Sequence, residues 1–253
     1  MNEVQQPNPG FLTSDAASDA STNDSVSRLR DRLLSDSIKS QVKEQLEAIT
    51  DLATLGDAGL YVLMQFLRDR HPGPVDSVAG RAYQVLLQAD TPDTRTFIAS
   101  HYPLGLVSMP SERGMDYSPL QTLLAEQNYQ EADRLTLQKM CELAGAAAVQ
   151  RKWLYFSEVD SFPSADLQTI DQLWRVFSGD RFGFSIQRDL WLAVNKDWER
   201  LWPRIGWKSG NTWTRYPNQF TWDLTAPIGH LPLSNQLRGV RVMASLMNHP
   251  AWR

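Results

Sequence analysis

The chain has 253 residues, 42% of them hydrophobic, and a formal charge of −4, enough apolar content for a real core in one large domain or two ordinary ones. Its acidic balance argues against a general nucleic-acid binder, which needs surplus lysine and arginine to neutralise phosphates. The single cysteine, Cys141, excludes an intrachain disulfide framework and a multi-thiolate zinc site, and no apolar run approaches the roughly 20 residues that span a bilayer.

Residues 1–24 are rich in Asn, Ser, Asp, Ala and Pro, with neither an arginine nor an apolar block. This composition fits neither a secretory signal nor an arginine-rich transit peptide and predicts a disordered acidic leader. The expected location is therefore cytoplasmic. From residue 25 to 101 the pattern turns helical. Ile38, Val42, Leu46, Ile49 and Leu52 recur at three- and four-residue steps, with Gly56 as a stop. Leu60, Leu63, Met64 and Leu67 mark a second helix, which His71-Pro72-Gly73-Pro74 must end. Val78, Ala82, Val85 and Leu86 mark a third, and Thr91-Pro92-Asp93 reads as N-cap, N1 proline and early acid of a fourth. Short helices with tight connections predict an antiparallel helical bundle over 25–101, or a short helical-repeat array without a strict internal repeat, with His71 and His101 as helix-end caps.

Prolines 103 and 110 with glycines 105 and 114 break the periodicity and set an expected linker at 102–114, whose Leu104, Leu106 and Val107 predict packing onto a neighbour. Beyond it, residues 115–253 form the expected second domain. Ser118-Pro119 opens a helix carrying Leu120, Leu123 and Leu124, and the run from Asn128 to Leu143 predicts a longer helix ending near Gly145. Cys141, beside Met140 and Leu143, reads as a buried inert thiol. Glu158, Asp160, Asp166 and Asp171 lack the spacing of a calcium loop and read as helix-entry acids complementing the macrodipole. Leu167, Ile170, Leu173, Trp174 and Phe177 set out a further helix. After a turn at Ser178-Gly179-Asp180-Arg181, Phe182-Gly183-Phe184 passes into a helix capped by Ser185 that bears Ile186 and Leu190.

Residues 198–232 hold Trp198, Trp202, Trp207, Trp213, Tyr216, Phe220 and Trp222, interrupted by prolines and glycines, and all nine tryptophans of the chain lie after position 150. Trp174, Trp191, Trp198 and Trp202 fall in expected helices and read as core. Trp207, Trp213, Phe220 and Trp222 fall in irregular chain and read as an aromatic wall facing a flat apolar ligand. Residues 207–213 also fit a small hairpin with its tryptophans packed on each other. His230 fits a turn locked by a histidine hydrogen bond better than an axial metal ligand.

The run 162–174, FPSADLQTIDQLW, followed by Phe182-Gly183-Phe184-Ser185, Gly206-Trp207 and Ala226-Pro227-Ile228-Gly229-His230-Leu231-Pro232, resembles the genomes-uncoupled tetrapyrrole-binding family. The resemblance extends in order from about residue 117 to about 232, with departures at Ser164 and Ile228, and the preceding bundle resembles the extra N-terminal domain of cyanobacterial members. It implies an all-α, non-catalytic protein: an N-terminal antiparallel bundle plus a C-terminal, loop-rich helical porphyrin-binding domain. The implied ligands are protoporphyrin IX and Mg-protoporphyrin IX, with no catalytic cofactor and no resident metal. The implied partner is the large, porphyrin-binding subunit of magnesium chelatase, stimulated by a monomer in chlorophyll biosynthesis, and peripheral association with the thylakoid membrane stays open.

A porphyrin is a broad apolar disc with carboxylates on one edge, so its receptor needs aromatic surface and rim cations. On that basis the expected binding residues are Phe162, Phe182, Phe184, Leu190, Trp207, Trp213, Phe220 and Trp222, with Arg204, Arg215 and Arg238 at the rim. Burying roughly 400 Å² of ligand surface supplies on the order of 10 kcal/mol before association costs. The rival readings are a helical protein–protein interaction module whose aromatics are core, and a hydrolase using His230 with Asp223 or Cys141. For the latter the chain offers no nucleophile elbow, metal-ligand pair or phosphate-cradling loop.

Overall fold

In a computed structural model that describes residues 14–35, 41–233 and 240–253, the architecture is all-α, with thirteen α-helices and a two-stranded hairpin among the described residues. Packing divides the chain into two compact units, Met1–His71 and Pro72–Arg253. The first unit contains α1 (Ser14–Leu34), α2 (Gln41–Ala53) and α3 (Gly56–Asp69). Its core is Leu33 from α1, Ile49 and Leu52 from α2, and Leu60, Leu63 and Leu67 from α3, all buried. These are the periodic apolar positions, and their burial is what stabilises helices this short. A Cβ on Gly59 would fall 1.9 Å from the Leu52 carbonyl oxygen, so glycine is what lets α3 lie that close to α2. Gln45 donates from Nε2 to the Leu33 carbonyl at 2.9 Å, satisfying an end group of α1.

One expectation changes here. Helix α1 begins at Ser14, inside the stretch read as a leader, because alanines 16, 17 and 20 favour helix despite the polar composition. Residues 1–13 and Ile38 lie outside the described residues. The division at His71 falls within the 25–101 stretch.

The second unit begins with α4 (Ser77–Ala89) and α5 (Pro92–His101). Asp76 caps α4 by accepting from the Ala79 N–H at 2.9 Å, and Thr91 and Thr94 form a capping box around Pro92, as the sequence pattern predicts. The His101 ring lies on the last turn of α5, with Nδ1 3.0 Å from the Phe97 carbonyl oxygen. Helix α4 packs inside this unit rather than with α1–α3: a Cβ on Gly80 would lie 2.3 Å from the carbonyl oxygen of Val176. The segment 102–114 is likewise packed, with Tyr102, Leu106 and Val107 buried and Leu104 82% exposed. Gln121 holds it by accepting from the Val107 N–H at 2.7 Å and donating to the Leu104 carbonyl at 3.2 Å.

Helices α6 (Ser118–Ala125), α7 (Tyr129–Ala144), α8 (Ala146–Arg151) and α9 (Phe156–Val159) lead to α10 (Ser164–Phe177), the centre of the unit. Leu167, Ile170, Leu173 and Trp174 are each 0% exposed. The indole of Trp174 donates to Thr136 Oγ1 of α7 at 3.0 Å, and the Tyr129 hydroxyl donates to the Phe177 carbonyl at 2.8 Å. Gln84 of α4 donates from Nε2 to the carbonyls of Phe177 at 3.0 Å and Leu124 at 3.3 Å. The remaining elements are α11 (Phe184–Ala193), α12 (Trp198–Arg204), β1 (Lys208–Ser209), β2 (Thr212–Trp213), α13 (Arg241–Asn248) and a terminal 3-10 turn, Pro250–Trp252.

The acids of 158–171 do separate structural jobs. Glu158 pairs with Arg151 at 2.7 Å and caps α9 through the Tyr155 N–H. Asp166 accepts from the Ser111 hydroxyl, the Glu112 N–H at 3.0 Å and the Tyr117 hydroxyl at 2.9 Å. Asp171 sits mid-helix and caps α11 from outside, accepting from the Ser185 N–H at 2.8 Å and hydroxyl at 2.6 Å. Ser185 is thus the capped residue rather than the cap. Only Glu158 and Asp166 lie in first turns, so the macrodipole account holds for two of the four.

Removing the Asp166 carboxylate leaves three donors facing a site that is 0% exposed. Asp166→Ala is expected to cost about 3 kcal/mol in urea unfolding, and Asp166→Asn, which keeps an acceptor, clearly less.

Candidate functional site

The aromatic excess of the sequence becomes a continuous array. Trp191 on α11 stacks on Trp198 at 4.8 Å between ring centroids, Trp198 on Trp202 at 5.1 Å, and Trp202 on Trp207 at 5.7 Å and 5°. Trp198 and Trp202 stand four residues apart on α12, one above the other as helical spacing requires. Trp213 packs on Trp202 from the side at 5.6 Å and 57°. Phe220 continues the array from Trp207 to Trp222 and to the His230 ring, and Tyr216 meets Phe220 and Trp222 edge-on, each at 5.8 Å. The hairpin reading of 207–213 holds, with Lys208 opposite Trp213 and Gly210 at φ 56° in the two-residue loop. Its tryptophans pack on Trp202 rather than on each other.

Burial sorts the expected binding residues into two groups. Phe162, Phe182, Phe184, Trp207 and Phe220 are interior, between 0% and 6% exposed. Phe182, for one, is wedged edge-on between Tyr129 at 5.6 Å and Trp174 at 6.4 Å. Leu190, Trp213 and Trp222 are half-buried, and Arg204 and Arg215 are exposed. Arg238 lies outside the described residues. Trp174, Trp191 and Trp202 are core as expected, whereas Trp198 is half-buried. The accessible aromatics of the array are therefore Trp213, Tyr216 (42% exposed) and Trp222, with Ile228 (48% exposed) on a following turn. Lys208 places its ammonium 5.4 Å from the Trp213 ring centroid while pairing with Glu199.

Three motifs distant in sequence converge behind this face. The Gly183 N–H donates to the Leu231 carbonyl at 3.1 Å, and the Gly229 N–H to the Arg181 carbonyl at 2.8 Å. The Trp207 indole donates to the His230 carbonyl at 2.8 Å. His230 is 2% exposed, with Nδ1 2.7 Å from the Ile205 carbonyl and Nε2 accepting from the Thr221 N–H at 3.3 Å. These partners assign the neutral ring with its proton on Nδ1, and burial holds the pKa below the ordinary histidine value, opposed by the Ile205 contact. Both nitrogens are thus used inside the fold, as the locked-turn reading requires. At Gly206, with φ 73°, a Cβ would meet Pro227 Cγ at 3.0 Å and His230 Nδ1 at 3.1 Å. At Gly229, with φ 78°, it would meet Leu190 Cδ1 at 2.6 Å.

Two supporting residues escape the sequence pattern. Gln187, 0% exposed, donates from Nε2 to the carbonyls of Gly229 at 3.0 Å and Pro232 at 2.8 Å. Asp133 of α7 accepts from the Leu233 N–H at 2.6 Å. The only signal for either is a polar residue on an otherwise apolar helix face. Cys141 is 2% exposed, and burial pushes its thiol up to about 11, the inert state expected. Among the described residues no group of three His, Cys, Asp or Glu side chains is placed to hold a metal, and no helix is long and apolar enough to cross a membrane.

Comparison with known proteins matches residues 110–250 to a GUN4-like family model and residues 17–103 to an ARM-like repeat domain, GUN4-N terminal. A Ycf53-like protein of Synechocystis is 51% identical over 212 residues, covering 83% of this chain and 91% of that relative. The chloroplastic tetrapyrrole-binding protein of Arabidopsis thaliana is 37% identical over 145 residues, covering 54% of this chain and 55% of that relative. The structure of GUN4 from Chlamydomonas reinhardtii superposes with a TM-score of 0.55 at 37% identity, over 58% of this chain and 96% of that one. Ligand-free Arabidopsis thaliana GUN4 gives 0.51 at 37% identity, over 57% and 99%. With its three motifs drawn into one aromatic-faced site and a helical module ahead of it, the chain belongs to the GUN4-like family.

Proposed function

We propose that this chain binds a tetrapyrrole on the face formed by Trp213, Tyr216 and Trp222, and does so without catalysing a reaction. The observation that carries the reading is the split within the aromatic array: Trp202, Trp207 and Phe220 are interior, and they hold Trp213, Tyr216 and Trp222 partly open to solvent. A rigid aromatic surface loses little side-chain entropy on meeting a flat ring. Arg204 and Arg215, exposed, supply rim charges for ligand carboxylates. The name of the Arabidopsis relative supports the same ligand class.

The finer reading is that the ligands are protoporphyrin IX and Mg-protoporphyrin IX, and that the bound protein stimulates magnesium chelatase through its large subunit. It includes a monomeric state and a location in the cytoplasm or at the thylakoid surface. With His230 occupied on both nitrogens, the magnesium of a bound ligand is not held by that ring. The rival reading, a protein-interaction module with an aromatic core, takes its support from the interior half of the array.

Titration with protoporphyrin IX separates them: tandem quenching of tryptophan emission and a Soret shift are expected, and a pure interaction module gives neither. Trp213→Ala is expected to weaken binding about tenfold or more, as loss of an aromatic anchor does, with the melting temperature nearly unchanged. Unchanged affinity would place the ligand elsewhere. Phe220→Ala is not an equivalent test, because truncating that buried ring costs about 3–5 kcal/mol of fold stability. Arg204→Gln and Arg215→Gln are each expected to cost under about 1 kcal/mol of affinity, and the loss should shrink in high salt.

A further inference from the structure

Lys208 has little freedom for a lysine. It stands opposite Trp213 in the hairpin, where the Thr214 N–H donates to the Trp207 carbonyl at 3.0 Å. The next pair toward the loop, Lys208 with Trp213, is therefore of the non-hydrogen-bonded kind, in which opposed side chains come closest. The Lys208 side chain is only 14% exposed. Its ammonium lies over the Trp213 ring, 5.4 Å from the centroid, and pairs at 2.5 Å with Glu199 on the first turn of α12. Trp202, itself 5% exposed, packs on Trp213 from the interior at 5.6 Å. One of the three accessible aromatics thus carries a cation on its ring, held there by a carboxylate at the surface.

We infer that Lys208 is a specificity-determining residue of the aromatic face: it selects ligands that bear a carboxylate, because such a ligand replaces Glu199 as its partner. The inference rests on the tetrapyrrole-binding reading and names the ligand group that is recognised. A flat ring that stacks on Trp213 must share or displace the ammonium. A ligand with carboxylates on its edge offers the cation an oxygen pair in exchange for the one on Glu199, so Lys208 keeps a counter-ion throughout. A ligand of the same shape without carboxylates offers no exchange, and strips the cation from both the ring and Glu199. The Glu199 side chain is 71% exposed, so its hold on Lys208 is that of a surface ion pair and weak enough to be exchanged. The hairpin already orders the Lys208 side chain, so less rotamer freedom is lost there on binding than at the exposed Arg204 or Arg215.

The test titrates the full chain with protoporphyrin IX and with its bis-amide, in which both carboxylates are capped as neutral, water-soluble hydroxyalkyl amides. Wild type is expected to prefer the acid. The quantity read is the ratio of the two affinities, which cancels any change in the aromatic surface common to both. Lys208→Met keeps the length of the side chain without its charge, and is expected to lower the ratio roughly fivefold. Glu199→Gln removes the competitor and is expected to raise the ratio roughly threefold. In the Lys208→Met background Glu199→Gln is expected to change nothing, since the two residues act through one contact.

An unchanged ratio in Lys208→Met overturns the inference and leaves tetrapyrrole binding in place. A Glu199→Gln gain that persists without Lys208 is a long-range charge effect and overturns it as well. If the amide does not bind measurably, the affinity for the acid is read alone, with the same changes expected. If wild type binds neither compound, the tetrapyrrole reading and this inference fall together. Should Lys208→Met not fold, Glu199→Gln alone decides, and an unmoved ratio there overturns the exchange of carboxylates.

Discussion

A polar group enclosed by protein must find a partner there, and α10 carries several on its buried faces, leaving Gln168, Gln172 and Arg175 exposed. Its apolar residues pack toward α4, α6 and α7, while Asp166, Thr169, Asp171 and Trp174 each reach a partner on a different segment. Those bonds bring distant stretches to fixed places: the 110–117 segment through Asp166 and Thr169, the start of α11 through Asp171, and α7 through Trp174. Losing any one of them would strand a buried donor or acceptor rather than a solvated one. The aromatic site is downstream of this arrangement, since α11 and the turn before it set where the 226–233 segment can dock.

The site itself depends on irregular backbone. Regular helix could stack Trp198 on Trp202, but bringing Trp207, Phe220 and His230 against them needs chain that turns back within a few residues. Gly206 and Gly229 provide those turns at positive φ, in places where a side chain would collide with Pro227, His230 or Leu190. The polar cost of burying such backbone is met locally, by the Gln187 amide, the Trp207 indole and the His230 ring.

Much of this was legible in the residues. Helical spacing and cap chemistry located α3, α4, α5, α6, α7 and α10, and the tryptophan excess with its ordered motifs marked the right region. What stayed hidden was which aromatics face outward, because Trp207 and Trp213 carry the same side chain six residues apart and only the tertiary stack assigns one to the interior. The division at His71 was equally hidden: α4 is as periodic as α3, and its allegiance to α10 rests on the close approach at Gly80, for which a helix interior gives no warning. Asp133 looks like any surface acid until the Leu233 amide is folded onto it.

The tryptophan series also has an electronic consequence. Indoles stacked at 4.8, 5.1 and 5.7 Å are close enough to exchange excitation among themselves before emitting. Light absorbed at Trp191, deep on α11, can migrate along the stack to Trp202 and leave through Trp213 at the open face. A single acceptor resting there would drain the whole series, so loss of emission counts the indoles wired to that face rather than those in contact with it.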